Sequence, residues 1–162
     1  MSAPASGRVA QINVSAGGVP KRPVPEARVS ELGVEGDAQR NRTLHGGPER
    51  AVCLFSLERI EALAAEGHDI VPGAIGENLT VAGVDWSQVG LGSRFLVGEE
   101  VLLEVTRFTS PCFNIADVFL GREYKRVSQK IHPGDSRVCA RVLRPGRVRA
   151  GDPVRLLAPA SP

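Results

Sequence analysis

The feature that most constrains this chain is how often its apolar runs are interrupted. Its 162 residues include 18 glycines and 12 prolines, and these fall between short runs rich in β-branched residues. Such runs, bounded by Gly and Pro, form strands and tight turns more readily than helices of several turns. The segment "RFLVGEEVLLEV" has the pattern of two strands joined by a Gly-Glu-Glu turn, and "RVCARVLRPGRVRAGDPVRLL" that of strand, turn, short strand, tight turn, strand. Residues 73–107 and 137–157 together therefore predict a mainly β fold, a barrel or rolled sheet with a few peripheral helices. A doubly wound α/β fold is disfavoured, because too few strands are followed by long helices. Aromatic residues make up only 4% of the chain, so aliphatic side chains must fill the core.

The remaining elements follow from local pattern. Residues 8–15 alternate loosely and predict a first strand; 16–27, dense in Gly and Pro, predict an ordered loop. One short strand and then a long polar loop are expected up to residue 50. In "RAVCLFS", residues 50–56, Ala51, Cys53 and Phe55 share one side and Val52 and Leu54 the other. Both sides are apolar, which predicts a central, buried strand. Ser56 is placed to cap a helix over 57–66, with Leu57, Ile60, Leu63 and Ala64 as its apolar stripe and Gly67 as its stop. The length suits one domain, spanning residues 8–157.

Charge and cysteine usage exclude some classes of function. The formal net charge is +2, and the basic residues are scattered among acids instead of gathered on one stripe with stacking aromatics. This argues against nucleic-acid binding. There is no run long enough for a membrane span and no basic-then-apolar leader, so a cytoplasmic protein away from membranes is expected. Three widely spaced cysteines, Cys53, Cys112 and Cys139, without a CxxC pair, suit reduced thiols better than a disulfide framework.

Two stretches carry candidate chemistry. In "RFTSPCFNIADVF", Pro111 fixes the backbone ahead of Cys112, and 113–120 predict a short helix. A thiol at a helix start meets unpaired N–H groups that favour the thiolate, and Arg107 adds positive charge if the strand end folds toward it. The alternative is a packed, inert thiol. Cys53, in an apolar strand, reads as core. Cys139 alternates with Arg137 and Arg141, which sets it on a polar face, but a packed thiol is again the simpler reading. In "GDAQRNRTLHGGPERAV", His45 precedes Gly46 and Gly47, with Arg40 and Arg42 upstream. Glycines allow close backbone approach, exposed N–H groups hold anions, and arginine adds a planar multidentate donor. Asp37 is suited to orient a basic group or stiffen the loop, and His45 to shuttle a proton. The sequence contains none of the Walker A, Rossmann, GxSxG or HExxH patterns.

The order of these motifs resembles the MOSC domain, named for the C-terminal part of eukaryotic molybdenum cofactor sulfurase. The resemblance runs through "INVSAGGVPKRPV", "GVEGDAQRNRTLHGG", "GAIGENLTVAGVDWSQVGLGSRFLVGEEVLLEVT", "SPC" and "RVLRPGRVRAGDPVRLL", and is nearest to small stand-alone bacterial proteins of this type. It implies a β-barrel with helices at its edges. It further implies binding of molybdenum cofactor (molybdopterin), with Cys112 as thiolate ligand to molybdenum, and reduction of N-hydroxylated compounds with electrons from a partner reductase. Arg40, Arg42, Arg107, His45, Gly46 and Gly47 would hold the cofactor phosphate or substrate, and the family's GD and GENLT segments add Asp37, Glu77 and Asn78. In many relatives an arginine stands at the position of Thr109; here the nearest arginine is Arg107. Two alternatives remain open. One is cofactor-independent sulfur transfer or thiol-dependent catalysis at Cys112 with His45. The other is a non-catalytic carrier of an anionic cofactor or of sulfur. In each case the partner is a small anionic molecule, and the protein is a monomer or homodimer.

Overall fold

The computed structural model describes residues 7–38 and 47–157. Its strands are β1 (Gly7–Val14), β2 (Arg22–Val24), β3 (Glu26–Ser30), β4 (Gly33–Val34), β5 (Val52–Ser56), β6 (Leu79–Ala82), β7 (Arg94–Val97), β8 (Val101–Phe108), β9 (Val138–Arg144), β10 (Gly146–Arg149) and β11 (Pro153–Leu156), with one α-helix, α1 (Leu57–Ala65). The main sheet runs β11-β7-β8-β9-β5-β6-β1 and closes on itself where Gly7 and Arg8 of β1 pair with Val154 and Pro153 of β11. The result is a closed seven-stranded barrel, the mainly β architecture that the glycine punctuation predicts. Closure removes the open edges that a sheet of this size would otherwise expose.

Every pairing is antiparallel except β5–β6. A parallel pair needs a crossover, and α1 lies within it. The helix begins where expected: the Ser56 hydroxyl accepts from the Arg59 N–H at 3.2 Å, while Ile60 and Leu63 are buried. Gly67 follows at φ +107° and its N–H donates to the Ala64 carbonyl. The hairpin expected in 94–105 is β7–β8, turning through Gly98, Glu99 and Glu100.

Two expectations need revision. The Gly/Pro-rich stretch 16–27 is not only loop: it holds β2, which pairs with the second half of β1, and the start of β3. β3, β4 and β10 form a second, three-stranded sheet in which Ala27 and Val29 are buried and Arg28 is exposed. The loose alternation of β1 also has a cause. The register to β6 slips between Val9 and Gln11, so the bulge re-phases the strand and buries Val9 and Ile12, three positions apart. After β8 the chain forms three 3₁₀ turns, Phe113–Val118, Leu120–Arg122 and Tyr124–Val127, where one short helix is expected over 113–120. No helix among the described residues is long and apolar enough to cross a membrane.

The core is aliphatic, with Phe55, Trp86 and Phe95 as an aromatic cluster: the Trp86 ring meets Phe55 edge-on at 6.2 Å and stacks on Phe95 at 6.4 Å. On β8, Val101, Leu103 and Val105 are buried, and Leu102 and Glu104 are half-buried between them. Leu103→Ala should therefore cost about 2–5 kcal/mol in urea unfolding, and Leu102→Ala less than half of that. Equal losses would mean that β8 does not sit in this register.

Candidate functional site

A cavity of about 510 Å³ opens where the ends of β5, β8 and β9 meet the 18–21 and 75–76 loops. All three cysteines line it, together with Lys21, Arg50, Arg107, Thr109 and Arg137. Soft nucleophiles and cations thus share one space, large enough for a small organic molecule.

The ladder explains how the side chains converge. Cys53 lies directly opposite Cys139 across β5–β9, and Arg107 opposite Cys139 across β8–β9. Direct partners in antiparallel strands project to the same face, so Arg107, Cys139 and Cys53 form one transverse row. The arginine reaches this row through an irregularity. Val105 pairs with Ala140, so a regular ladder would set Thr106 opposite Cys139; the slip between Val105 and Arg107 sets the arginine there instead. Thr106 is left over, and its hydroxyl donates to the Glu49 and Cys139 carbonyls.

Beyond the strand, the Thr109 N–H donates to the Arg137 carbonyl at 2.9 Å, which turns the Thr109 side chain onto the thiols. Its hydroxyl lies 3.2 Å from Cys139 Sγ and 3.8 Å from Cys53 Sγ. The Cys139 thiol is lowered to about 6 by its hydrogen bond with Cys53, with help from the Thr109 hydroxyl and from Arg137 and Arg107. The Cys53 thiol is pushed well above the usual thiol range by the same hydrogen bond, by burial and by the nearby Cys139 charge. The two behave as a coupled pair in which Cys139 takes the negative charge first.

Arg137 is 6% exposed, and its Nη1 donates to the Ile75 carbonyl at 2.7 Å. Its buried Nε has no acceptor among the described residues. A buried guanidinium N–H with no partner costs free energy, and the positive charge of Arg137 favours an anion in the cavity that the residue lines. Lys21 contributes less free charge, since its Nζ is 2.7 Å from the buried Asp37 carboxylate.

Residues 41–155 match the MOSC domain family. The chain belongs to the MOSC domain family. It is 34% identical over 140 residues to Protein YiiM of Escherichia coli (strain K12), covering 84% of this chain and 61% of YiiM. It is 32% identical over 134 residues to a protein of Gibberella moniliformis (strain M3125 / FGSC 7600) named Reductase, covering 79% of this chain and 23% of that one. The crystal structure of YiiM from Geobacillus stearothermophilus aligns with a TM-score of 0.74 at 26% identity, over 94% of this chain and 75% of that one. The chain thus spans less than two thirds of the length of the E. coli relative.

Within this MOSC fold, the residues expected at a site fall into three groups. Cys112, Arg107 and Thr109 line the cavity. Cys112 is half-buried and stands at the start of the first 3₁₀ turn, where its carbonyl accepts from the Ile115 N–H. Asp37, Glu77 and Asn78 stand behind the wall. Asp37 orients the basic Lys21 and accepts from the Ser15 N–H and from Asn78 Nδ2. Asn78 is buried and binds Cys53 through both backbone groups. Glu77 is wholly buried; one oxygen accepts from the Thr80 hydroxyl, and burial raises its pKa. His45, Gly46, Arg40 and Arg42 lie outside the described residues. Gly47 is exposed at φ +94° ahead of the Pro48–Arg50 turn.

Sequence pattern missed Lys21, Arg50, Arg137 and the two further cysteines as cavity residues. Cys53 is not sealed in the core but half-buried against the cavity, and Cys139 faces it too. The signal present in the sequence was the alternation of Arg137, Cys139 and Arg141 against Val138, Ala140 and Val142. Iodoacetamide labelling of native protein, mapped by mass spectrometry, should show Cys139 reacting with a half-point near pH 6. Cys53 should stay slow to well above the ordinary thiol value of about 8.5. A Cys139 that titrates like a free thiol would contradict this arrangement.

Proposed function

We propose that this MOSC protein is a thiol-dependent sulfur-transfer protein, with Cys112 as the thiol that receives sulfur and the cationic cavity as the site of its anionic donor and acceptor. The observation that carries the reading is that Cys112 opens on one cavity with three arginines, Arg50, Arg107 and Arg137, none of which is ion-paired with a carboxylate among the described residues.

In the transfer, Cys112 Sγ as thiolate attacks the terminal sulfur of a persulfide R–S–SH. The S–S bond of the donor breaks, R–S⁻ leaves and is protonated, and Cys112 carries the sulfur as Cys112–S–SH. An acceptor nucleophile then takes the terminal sulfur and returns the thiol. The arginines hold the donor's anionic groups and stabilise the departing thiolate. His45 is proposed as the group that gives and takes the proton.

A second reading is favoured by the arginines that line the cavity beside Cys112 and by the name of the Gibberella relative. The cavity suits the family's molybdenum cofactor in kind: Cys112 offers a soft thiolate ligand, and Arg50, Arg107 and Arg137 offer donors for a phosphate. When bound, molybdenum would supply two-electron oxygen-atom transfer, with electrons from a partner reductase. This chain's own residues would then bind and orient the cofactor and move protons.

The experiment is sulfur transfer from glutathione persulfide to cyanide, read as thiocyanate, alongside metal analysis of gently purified protein. Wild-type protein should turn over without added metal. Cys112→Ser should fall to background while keeping its unfolding midpoint, because serine is similar in size but far less nucleophilic. No turnover in the wild type, together with molybdenum retained only when Cys112 is present, would overturn the sulfur-transfer reading in favour of the second.

A further inference from the structure

Neither role for Cys112 uses the other two thiols, and their placement is specific. Both polar backbone groups of Cys53 turn toward Asn78: its carbonyl accepts from the Asn78 N–H at 2.8 Å, and its N–H donates to Asn78 Oδ1 at 2.9 Å. Cys53 therefore has no backbone group left to exchange with β9, and the Cys53–Cys139 pair occupies a non-hydrogen-bonded position of the antiparallel ladder. At such positions the α-carbons stand about 4.5 Å apart with side chains closest together. That spacing falls inside the window of roughly 4.4–6.8 Å that a disulfide spans. Both thiols are free and line the cavity, and the Thr109 hydroxyl touches both sulfurs. Arg107 stands in register with Cys139, and Arg137 belongs to the same wall.

We propose that Cys53 and Cys139 form a redox-active dithiol that exchanges with small anionic disulfides admitted to the cavity, Cys139 attacking and Cys53 resolving. In the first step the Cys139 thiolate attacks one sulfur of R–S–S–R. The S–S bond breaks, R–S⁻ leaves and takes a proton from water, and a mixed disulfide Cys139–S–S–R forms. In the second step Cys53 loses its proton and attacks Cys139 Sγ, expelling the second R–S⁻, which receives that proton. The dithiol is oxidised by two electrons to a Cys53–Cys139 disulfide, and R–S–S–R is reduced to two R–SH. The reverse exchange with thiols restores the pair.

Position sets the order of attack: Arg107 stands in register with Cys139 and Arg137 lies two residues before it in the same wall, so negative charge is held on Cys139. Cys139 carries the charge in the resting pair, held by Cys53, Thr109 and the two arginines. Cys53 is kept protonated largely by its hydrogen bond to Cys139, by burial and by the Cys139 charge. Once Cys139 is in the mixed disulfide, that charge is gone and the barrier to ionising Cys53 falls. Substrate class follows from the walls. Arg50, Arg107 and Arg137 select carboxylate-bearing molecules, and the cavity volume admits a small disulfide but not a folded protein segment.

The test is acid-quenched peptide mapping of the full chain after exposure to oxidised glutathione, in wild-type and Cys112→Ser proteins. The Cys112→Ser arm keeps the result separate from sulfur transfer, since the dithiol does not need Cys112. Both proteins should yield a Cys53–Cys139 linked peptide that thiol reverses. Cys53→Ser should instead accumulate the glutathione mixed disulfide on Cys139. Cystamine, a cationic disulfide, should react at least roughly tenfold more slowly than oxidised glutathione. If wild-type protein in excess oxidised glutathione gives no such linked peptide, or places glutathione or a disulfide on Cys112 alone, the proposal is overturned. The wild-type mapping decides even if Cys53→Ser fails to fold.

Discussion

The site depends on how Asn78 binds its neighbours. From one buried residue, the N–H and Oδ1 hold the two backbone groups of Cys53, the carbonyl accepts from the Asn13 N–H at 2.7 Å, and Nδ2 reaches the Asp37 carboxylate at 2.8 Å. It thereby ties β5 to β1 and both to the loop that carries Asp37. Leaving several of these buried polar groups orphaned would cost about a few kcal/mol in total. The same bonds determine the chemistry. Because Cys53 spends its backbone groups on Asn78, its side chain stands close to Cys139. Because Asp37 is held by Asn78, it holds Lys21 at the cavity wall.

Around this point the barrel uses irregularities to place function. The bulge in β1 keeps Val9 and Ile12 in the core although they are out of phase. The bulge at Thr106 replaces a threonine by an arginine beside the Cys139 thiol. Thr109 supplies a hydroxyl to both sulfurs. The positive charge near the thiols thus comes from the strand ends, Arg107 and Arg137, and from Arg50 in the turn before β5.

Much of the fold was legible in the sequence because its determinants are local. Gly and Pro spacing announced the strands of the barrel's second half, Ser56 and Gly67 bounded α1, and the two-sided apolar pattern of 51–55 marked β5 as central, between β9 and β6. The strands within 16–34 were less legible. They are short, their partners are distant in sequence, and turn-forming residues dominate their composition. For the site, motif order led to Cys112, Arg107 and Thr109, all of which line the cavity. The same order pointed to Asp37, Glu77 and Asn78, which are supports behind its wall.

The sequence by itself determined the barrel's second half, β5 and α1, the family and the presence of one distinctive Pro-Cys step, because propensity, punctuation and motif order act over a few residues. Only the tertiary structure decided that Cys53 and Cys139, 86 positions apart, are direct cross-strand partners. It also decided that a one-residue slip sets Arg107 beside them, and that Arg137 is buried in the wall of the same cavity. Register and burial are properties of closure. They depend on which strands meet and in what phase, and no local pattern encodes the phase between segments brought together only when the barrel shuts.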